Sequence, residues 1–422
     1  MLDIIALLIT LTALFSYVNY RFIKLPTTIG VMALALVLSL ILTGLGELGY
    51  AAVERRAEAI IGAIDFNTVL MQGMLSLLLF AGALHIDLAE LASKKWPITF
   101  LATIGVLIST VLIGLASWVL LNLLFGLPIS LLYCLLFGAL ISPTDPIAVL
   151  GIMKAAKAPK SLEIKIAGES LFNDGVAVVV FTILLSLVLG GSEVTVGSAL
   201  LLFVEEAIGG AAFGLAIGYI TYRLLKSIDR YDVEILITLA LVLGGYALAI
   251  HLHVSGPIAM VVAGLMIGNQ GRALAMSDMT RANLDTFWEL IDEILNAVLF
   301  VLIGLEMVIL TFEGHHLLVA GLLIPIILLV RLLCVSLPIR VMRQHFNIEF
   351  SPHAVKILTW GGVRGGISVA LALSLPTGPE REIVLAITYI VVLFSILVQG
   401  LTVGPLIKAS LSQTPRTARE PS

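Results

Sequence analysis

Apolar runs long enough to cross a bilayer recur from one end of this chain to the other, separated by short loops that carry most of its charge. A hydrocarbon core of ~30 Å takes about 20 apolar residues as a helix. With no water at hand, every backbone N–H and C=O in such a run must be satisfied internally. Composition agrees: of 422 residues 59% are hydrophobic and only 12% charged, with a mean hydropathy of +1.11. A soluble domain has ~25% charged residues, so this chain cannot cover a water-facing surface. That excludes a soluble enzyme, a nucleic-acid binder and a disordered scaffold. The net charge of −4 is too small to point to a partner. Cys134 and Cys334 both stand inside apolar runs, where they read as small buried hydrophobes rather than a disulfide framework.

Measured with the twenty-residue ruler, spans fall near 3–20, 28–47, 67–86, 97–125, 130–152, 163–190 and 196–222. Others follow near 233–251, 254–270, 287–311, 316–339, 353–375 and 382–407. The expected fold is an all-α polytopic membrane protein with about 13 transmembrane helices. Residues 1–410 form one transmembrane domain and 411–422 a short, polar, disordered cytoplasmic tail. The run from Ile4 to Tyr20 reads as the first membrane helix, because Asp3 stands where a signal peptide carries basic residues.

Alternate loops carry Arg21/Lys24, Lys94/Lys95, Lys154/Lys157/Lys160, Arg223/Lys226/Arg230, Arg272/Arg281, Arg340/Arg343 and Lys408/Arg416/Arg419. The other loops hold only Arg55, Arg56 and Arg381. Basic residues stay on the cytoplasmic side, so the N-terminus is expected outside and the C-terminus in the cytoplasm of a multi-pass cell-membrane protein. Tyr50 to Phe66 and Ser277 to Glu293 mix charged and apolar residues and read as interfacial segments.

An ionisable side chain at the centre of a membrane helix costs roughly 2.5–3.5 kcal/mol on insertion scales, so each one invites a functional reading. Asp145, Glu169, Asp174, Glu205, Glu206, Glu306, Arg331 and Arg364 all fall inside spans. Counted at ~1.5 Å per residue from the cytoplasmic end, Asp145 and Arg331 lie roughly 12 Å deep, Asp174 and Arg364 roughly 16 Å. Around Asp145 the chain reads Ile141-Ser-Pro-Thr-Asp-Pro-Ile147. Pro143 and Pro146 each remove a backbone donor and disfavour helix at the preceding residue, so this span must break in mid-membrane. The twelfth span carries a second interruption, Trp360-Gly-Gly-Val-Arg-Gly-Gly-Ile367, made with glycine. The two broken spans run in opposite directions. Paired broken helices in inverted repeats, crossing at the midplane, point to a secondary transporter with its site there.

The sixth span supplies Gly168-Glu-Ser-Leu-Phe-Asn-Asp-Gly175. Ser170 and Asp174 are four apart and share a helix face, with Glu169 and Asn173 as the neighbouring pair. Hydroxyl, amide and carboxylate oxygens are what a hard alkali cation takes as ligands. One carboxylate that holds either a proton or a cation supplies enough chemistry for exchange.

Ser-Pro-Thr-Asp-Pro, Gly-Glu-Ser-Leu-Phe-Asn-Asp-Gly and Gly-Gly-Val-Arg-Gly-Gly, in that order over essentially the whole chain, resemble the bacterial sodium/proton exchangers of the monovalent cation:proton antiporter-1 family. The resemblance implies that Asp174 carries the ion and the proton, with Ser170 as ligand and Thr144 adding oxygen at the broken helix. It implies that Asn173-Asp174, in place of two aspartates, marks an electroneutral exchanger, and that Glu169 pairs with Arg331 as a structural charge. Asn173 and Asp145 join Asp174, Ser170 and Thr144 as candidate ion- and proton-binding residues, Asp145 also standing as a charge at the fifth-span break, and Arg364 is the charge set at the twelfth-span break. The cargo implied is Na+, with Li+ as a second cation. A homodimer in the cell inner membrane, serving sodium transport and pH homeostasis, completes the expectation. No cofactor, nucleic acid or metal beyond the transported cation is expected. The sequence departs from many relatives at Leu79-Phe-Ala-Gly-Ala-Leu84, where no carboxylate stands near Ala81.

Other features carry less. Glu205 and Glu206 either line an outer funnel or face the bundle interior, and Glu306 reads as hydrogen-bonded in the bundle. Gly209-Gly-Ala-Ala-Phe-Gly214 reads as close helix packing. A potassium-preferring exchanger of the same fold is the alternative within transport. From another class, an intramembrane enzyme would use Asp145 and Asp174 as an acid/base couple. The inverted breaks have no purpose in that reading, and Asn173 stands where a second acid is wanted. A channel is a third class, and nothing here resembles a carbonyl filter.

Overall fold

The computed structural model describes residues 2–62, 64, 66–93, 95–145, 149, 153, 160–190, 196–310, 314–345, 350 and 353–412. Among these residues every regular element is a helix. Among the described residues nine helices are long and apolar enough to cross a membrane, among them Trp96–Leu124, Glu163–Val188, Gly314–Gln344 and Pro379–Ser410. The other four stretches counted as spans from the sequence are shorter, broken or more charged. They are Val69–Leu84, Leu131–Ile141, Asp278–Glu306, and the pair Ala354–Trp360 with Gly366–Leu373. Pro146, Lys94, Lys154, Lys157 and the tail beyond Ser412 lie outside the described residues.

The chain divides into two compact units. The first holds Met1–Ala89, Asp174–Thr311 and Leu373–Pro376. Its interior is built on aromatic and small residues. Trp288, fully buried, meets the Phe80 ring at 4.8 Å between centroids and donates its indole N–H to Thr238 Oγ1 at 3.1 Å. The stretch from Ser277 to Glu293 reads from the sequence as an amphipathic helix running into the tenth span. The segment is one helix, Asp278–Glu306, started by Ser277 accepting the Thr280 N–H. Its Asp278, Glu289 and Glu293 are exposed, while Leu284 and Trp288, one turn apart, turn inward. An amphipathic pattern records which face is apolar, and a bundle buries that face as readily as a bilayer surface does. Gly210 and Gly214 lie against the backbone oxygens of Ser255 and Ala259, so the small-residue run is indeed a packing face.

The second unit holds Glu90–Asn173, Phe312–Ala372 and Thr377–Ser422. Within it the Ile104–Val119 and Leu131–Ile141 helices are in close contact because Gly138 sits on the Thr110 carbonyl and Gly114 on the Cys134–Leu135 backbone. Small residues let two backbones approach in this way where lipid offers no hydrophobic drive between helices. Cys134 and Cys334 are both free and buried, and the Ser109 hydroxyl donates to Cys334 Sγ at 3.4 Å.

Candidate functional site

Both interruptions stand where the local sequence puts them. The Leu131–Ile141 helix, started by Ser130, ends just before Ser142 and Pro143. Ala354–Trp360 ends at Gly361, and a new helix begins at Gly366. Non-helical backbone at membrane depth is tolerated only when protein satisfies it. Here the two breaks satisfy each other. The Asp145 N–H donates to the Val363 carbonyl at 2.7 Å. Arg364, itself buried, donates Nη1 to the Ser142 carbonyl at 2.5 Å and the Pro143 carbonyl at 2.8 Å. These are the carbonyls at the C-terminal, negative end of the first half-helix, where a cation is favoured.

The converse holds at the other break. A side chain on Gly365 would put its Cβ 2.0 Å from Asp145 Oδ2 and 2.6 Å from Asp145 Cβ. The aspartate therefore lies against the N-terminal, positive end of the Gly366–Leu373 half-helix, and only glycine leaves it room. Gly365→Ala is expected to destabilise the protein by about 1–3 kcal/mol, the usual cost of overpacking. Thermal unfolding of the purified protein measures it. An unchanged midpoint would mean that Asp145 moves aside freely.

Sequence reasoning missed the support for the second break. The Arg364 N–H donates to Ser395 Oγ at 2.8 Å, the Ser395 hydroxyl donates to Gln399 Oε1 at 2.6 Å, and Gln399 Nε2 donates to the Trp360 carbonyl at 3.0 Å. Ser395–Gln399 is a π-helical turn, a widening often found at functional sites. The available signal was a serine and a glutamine four apart in an otherwise apolar span.

The sixth-span residues come next. The Lys160–Val188 helix is continuous through Gly168–Gly175, and the division between the two units falls between Asn173 and Asp174. Within the second unit, Thr144 of the broken fifth span meets that helix with three hydrogen bonds. Thr144 Oγ1 and Ser170 Oγ are 3.0 Å apart, Asn173 Nδ2 donates to Thr144 Oγ1 at 3.0 Å, and the Thr144 N–H donates to Asn173 Oδ1 at 3.4 Å. All three residues are buried. Asp174 is the next residue along the helix, one turn beyond Ser170, and is also buried.

Glu169, only 1% exposed, accepts from Arg331 Nη1, and Arg331 Nη2 donates to the Leu358 carbonyl at 3.2 Å. One guanidinium thus joins the sixth, eleventh and twelfth spans. Glu306 is buried, Glu205 is exposed and Glu206 half-buried. Ala81 is buried in the first unit. Among the described residues no group of three or more His, Cys, Asp or Glu side chains is placed to hold a metal ion.

The family model for the sodium/hydrogen exchanger, transmembrane, matches residues 7–409. The Na(+)/H(+) antiporter NhaP of Pseudomonas aeruginosa is 58% identical over 410 residues, 97% of this chain and 96% of its own. The Na(+)/H(+) antiporter NhaH of Halobacillus dabanensis is 37% identical over 92% of this chain and 93% of its own. In fold, the chain matches the solved sodium proton antiporter MjNhaP1 of Methanocaldococcus jannaschii with a TM-score of 0.72, at 21% identity, over 97% of this chain and 98% of that one.

Proposed function

The chain belongs to the sodium/hydrogen exchanger family and is a multi-pass sodium/proton antiporter, and from that premise we propose that Asp174 is the group for which the two ions compete. The observation that carries this is the oxygen cluster at the fifth-span break. Thr144 Oγ1 holds Ser170 Oγ and Asn173 Nδ2, both on the helix that continues into Asp174. Hydroxyl and carboxylate oxygens suit a hard monovalent cation. Neutral asparagine orders the threonine without adding a second titrating group. A single carboxylate that is protonated or cation-bound, never both, obliges the two ions to take turns. Alternating access then converts that competition into exchange.

Asp145 and Arg364 are assigned as fixed charges. Each lies at the half-helix end of opposite polarity, so ion turnover leaves them in place. If only Asp174 cycles, one sodium ion replaces one proton and exchange is electroneutral. The basic-loop asymmetry places the C-terminus in the cytoplasm, and the working unit in the cell membrane is taken as a homodimer.

The test is sodium flux in vesicles clamped at different potentials with potassium and valinomycin. A rate change alone is kinetic, so the decisive reading is the sodium gradient at which net flux stops. At a fixed pH gradient that null point is expected to stay constant with voltage. A null point that moves would mean that a second carboxylate takes part.

A further inference from the structure

Within the second unit, the paired helices Lys95–Ala102 and Ile104–Val119 and the long Gly314–His345 helix enclose an apolar groove of about 420 Å³. Phe100, Ile108 and Leu112 form one wall and Leu333, Leu337 and Val341, spaced every fourth residue, the other. Cys334, bonded to Ser109, lies at its base. The lining is apolar along its length, with Trp96 at one end. Trp96, 68% exposed, stands there as an interfacial anchor, directly preceded in sequence by Lys94 and Lys95. Arg340 lies on the same end of the facing helix, one turn beyond Leu337. It is exposed and has no hydrogen-bond or ion-pair partner among the described residues.

We propose that this groove is a binding site for an anionic phospholipid, one acyl chain lying along the apolar walls and the phosphate taken by Arg340. An arginine fork matches a phosphate in geometry and charge, and basic residues beside a span draw anionic headgroups. The tail beyond Ser412 is too polar to enter. The bound chain would buttress the eleventh span one turn from Arg331, since Cys334 follows that arginine by three residues.

The full chain, stripped of lipid in detergent, is offered palmitoyl-oleoyl phosphatidylglycerol or phosphatidylcholine and weighed by native mass spectrometry. Phosphatidylglycerol should be retained about fivefold better, the worth of one basic residue against an anionic headgroup. Arg340→Gln should erase that preference. Leu337→Trp, which fills the groove, should lower retention of both lipids, and a photoactivatable acyl chain should cross-link within 96–112 or 333–342. Equal retention of the two headgroups by the unaltered protein overturns the assignment, as does a preference that survives Arg340→Gln. Acyl cross-links confined to other helices, or cross-links from these segments to a second protein chain, overturn it as well.

Discussion

Asp174→Asn should leave sodium/proton exchange in reconstituted vesicles at the level of empty vesicles, while the protein still expresses and folds. Asparagine keeps the size of aspartate and its capacity to accept a hydrogen bond, but it neither binds a proton nor carries a negative charge. If the two ions compete for this carboxylate, the substitution removes both sides of the exchange at once. The readouts are proton-driven sodium uptake and the thermal midpoint of the same preparation. Exchange above background in a folded Asp174→Asn protein would reject the assignment. Ser170→Ala supplies the graded comparison, since it removes one oxygen and keeps the carboxylate. It should raise the sodium concentration needed for half-maximal exchange without abolishing turnover.

Much of this architecture is legible in the sequence because lipid leaves the backbone few choices. A proline at 143 in an apolar run and a cluster of glycines around 364 disfavour a helix, and both spans break where those residues stand. Depth counting also brought Asp145 and Arg364 to similar levels, and their segments do meet, through the Asp145 N–H and the Val363 carbonyl. What the sequence hides is the identity of the partners. Arg364 reads as a lone mid-membrane charge, yet its backbone is held by Ser395 and its guanidinium by two carbonyls of the other break. Backbone carbonyls carry no residue label, so no motif announces them. Trp288 shows the complementary failure. Its helix has a charged face and an apolar face, and the pattern alone cannot say whether lipid or protein covers the latter. The division of the chain between Asn173 and Asp174, inside one helix, is likewise invisible to any search for polar linkers.

The exchange of charges between the two breaks gives Gly365 and Arg364 different jobs in adjacent positions. The glycine makes room for Asp145, and the arginine supplies the cation that the first half-helix wants at its end. The end of Leu131–Ile141 and the start of Gly366–Leu373 thus each face a side chain of opposite charge from the other broken span.

The second large effect is expected at the buried pair. Glu169 and Arg331 are 1% and 7% exposed, and Arg331 also holds the Leu358 carbonyl at the end of the first half of the twelfth span. Removing one partner of a buried pair typically costs about 3–5 kcal/mol, because the remaining charge is stranded away from water. Glu169→Gln and Arg331→Gln should therefore each lower the thermal midpoint and the yield of monodisperse protein. The double variant strands no charge, and two amides can still hydrogen-bond across the gap. It should recover part of both losses, a non-additivity expected of residues in direct contact. Recovery should be incomplete, since glutamine is too short to reach both Glu169's position and the Leu358 carbonyl as the guanidinium does. If the pair is structural, the double variant should also regain exchange in proportion to the folded protein recovered. Strictly additive losses in midpoint would mean that the two side chains do not meet in the working protein. Recovered folding with exchange still absent would instead assign one of them a part in ion turnover.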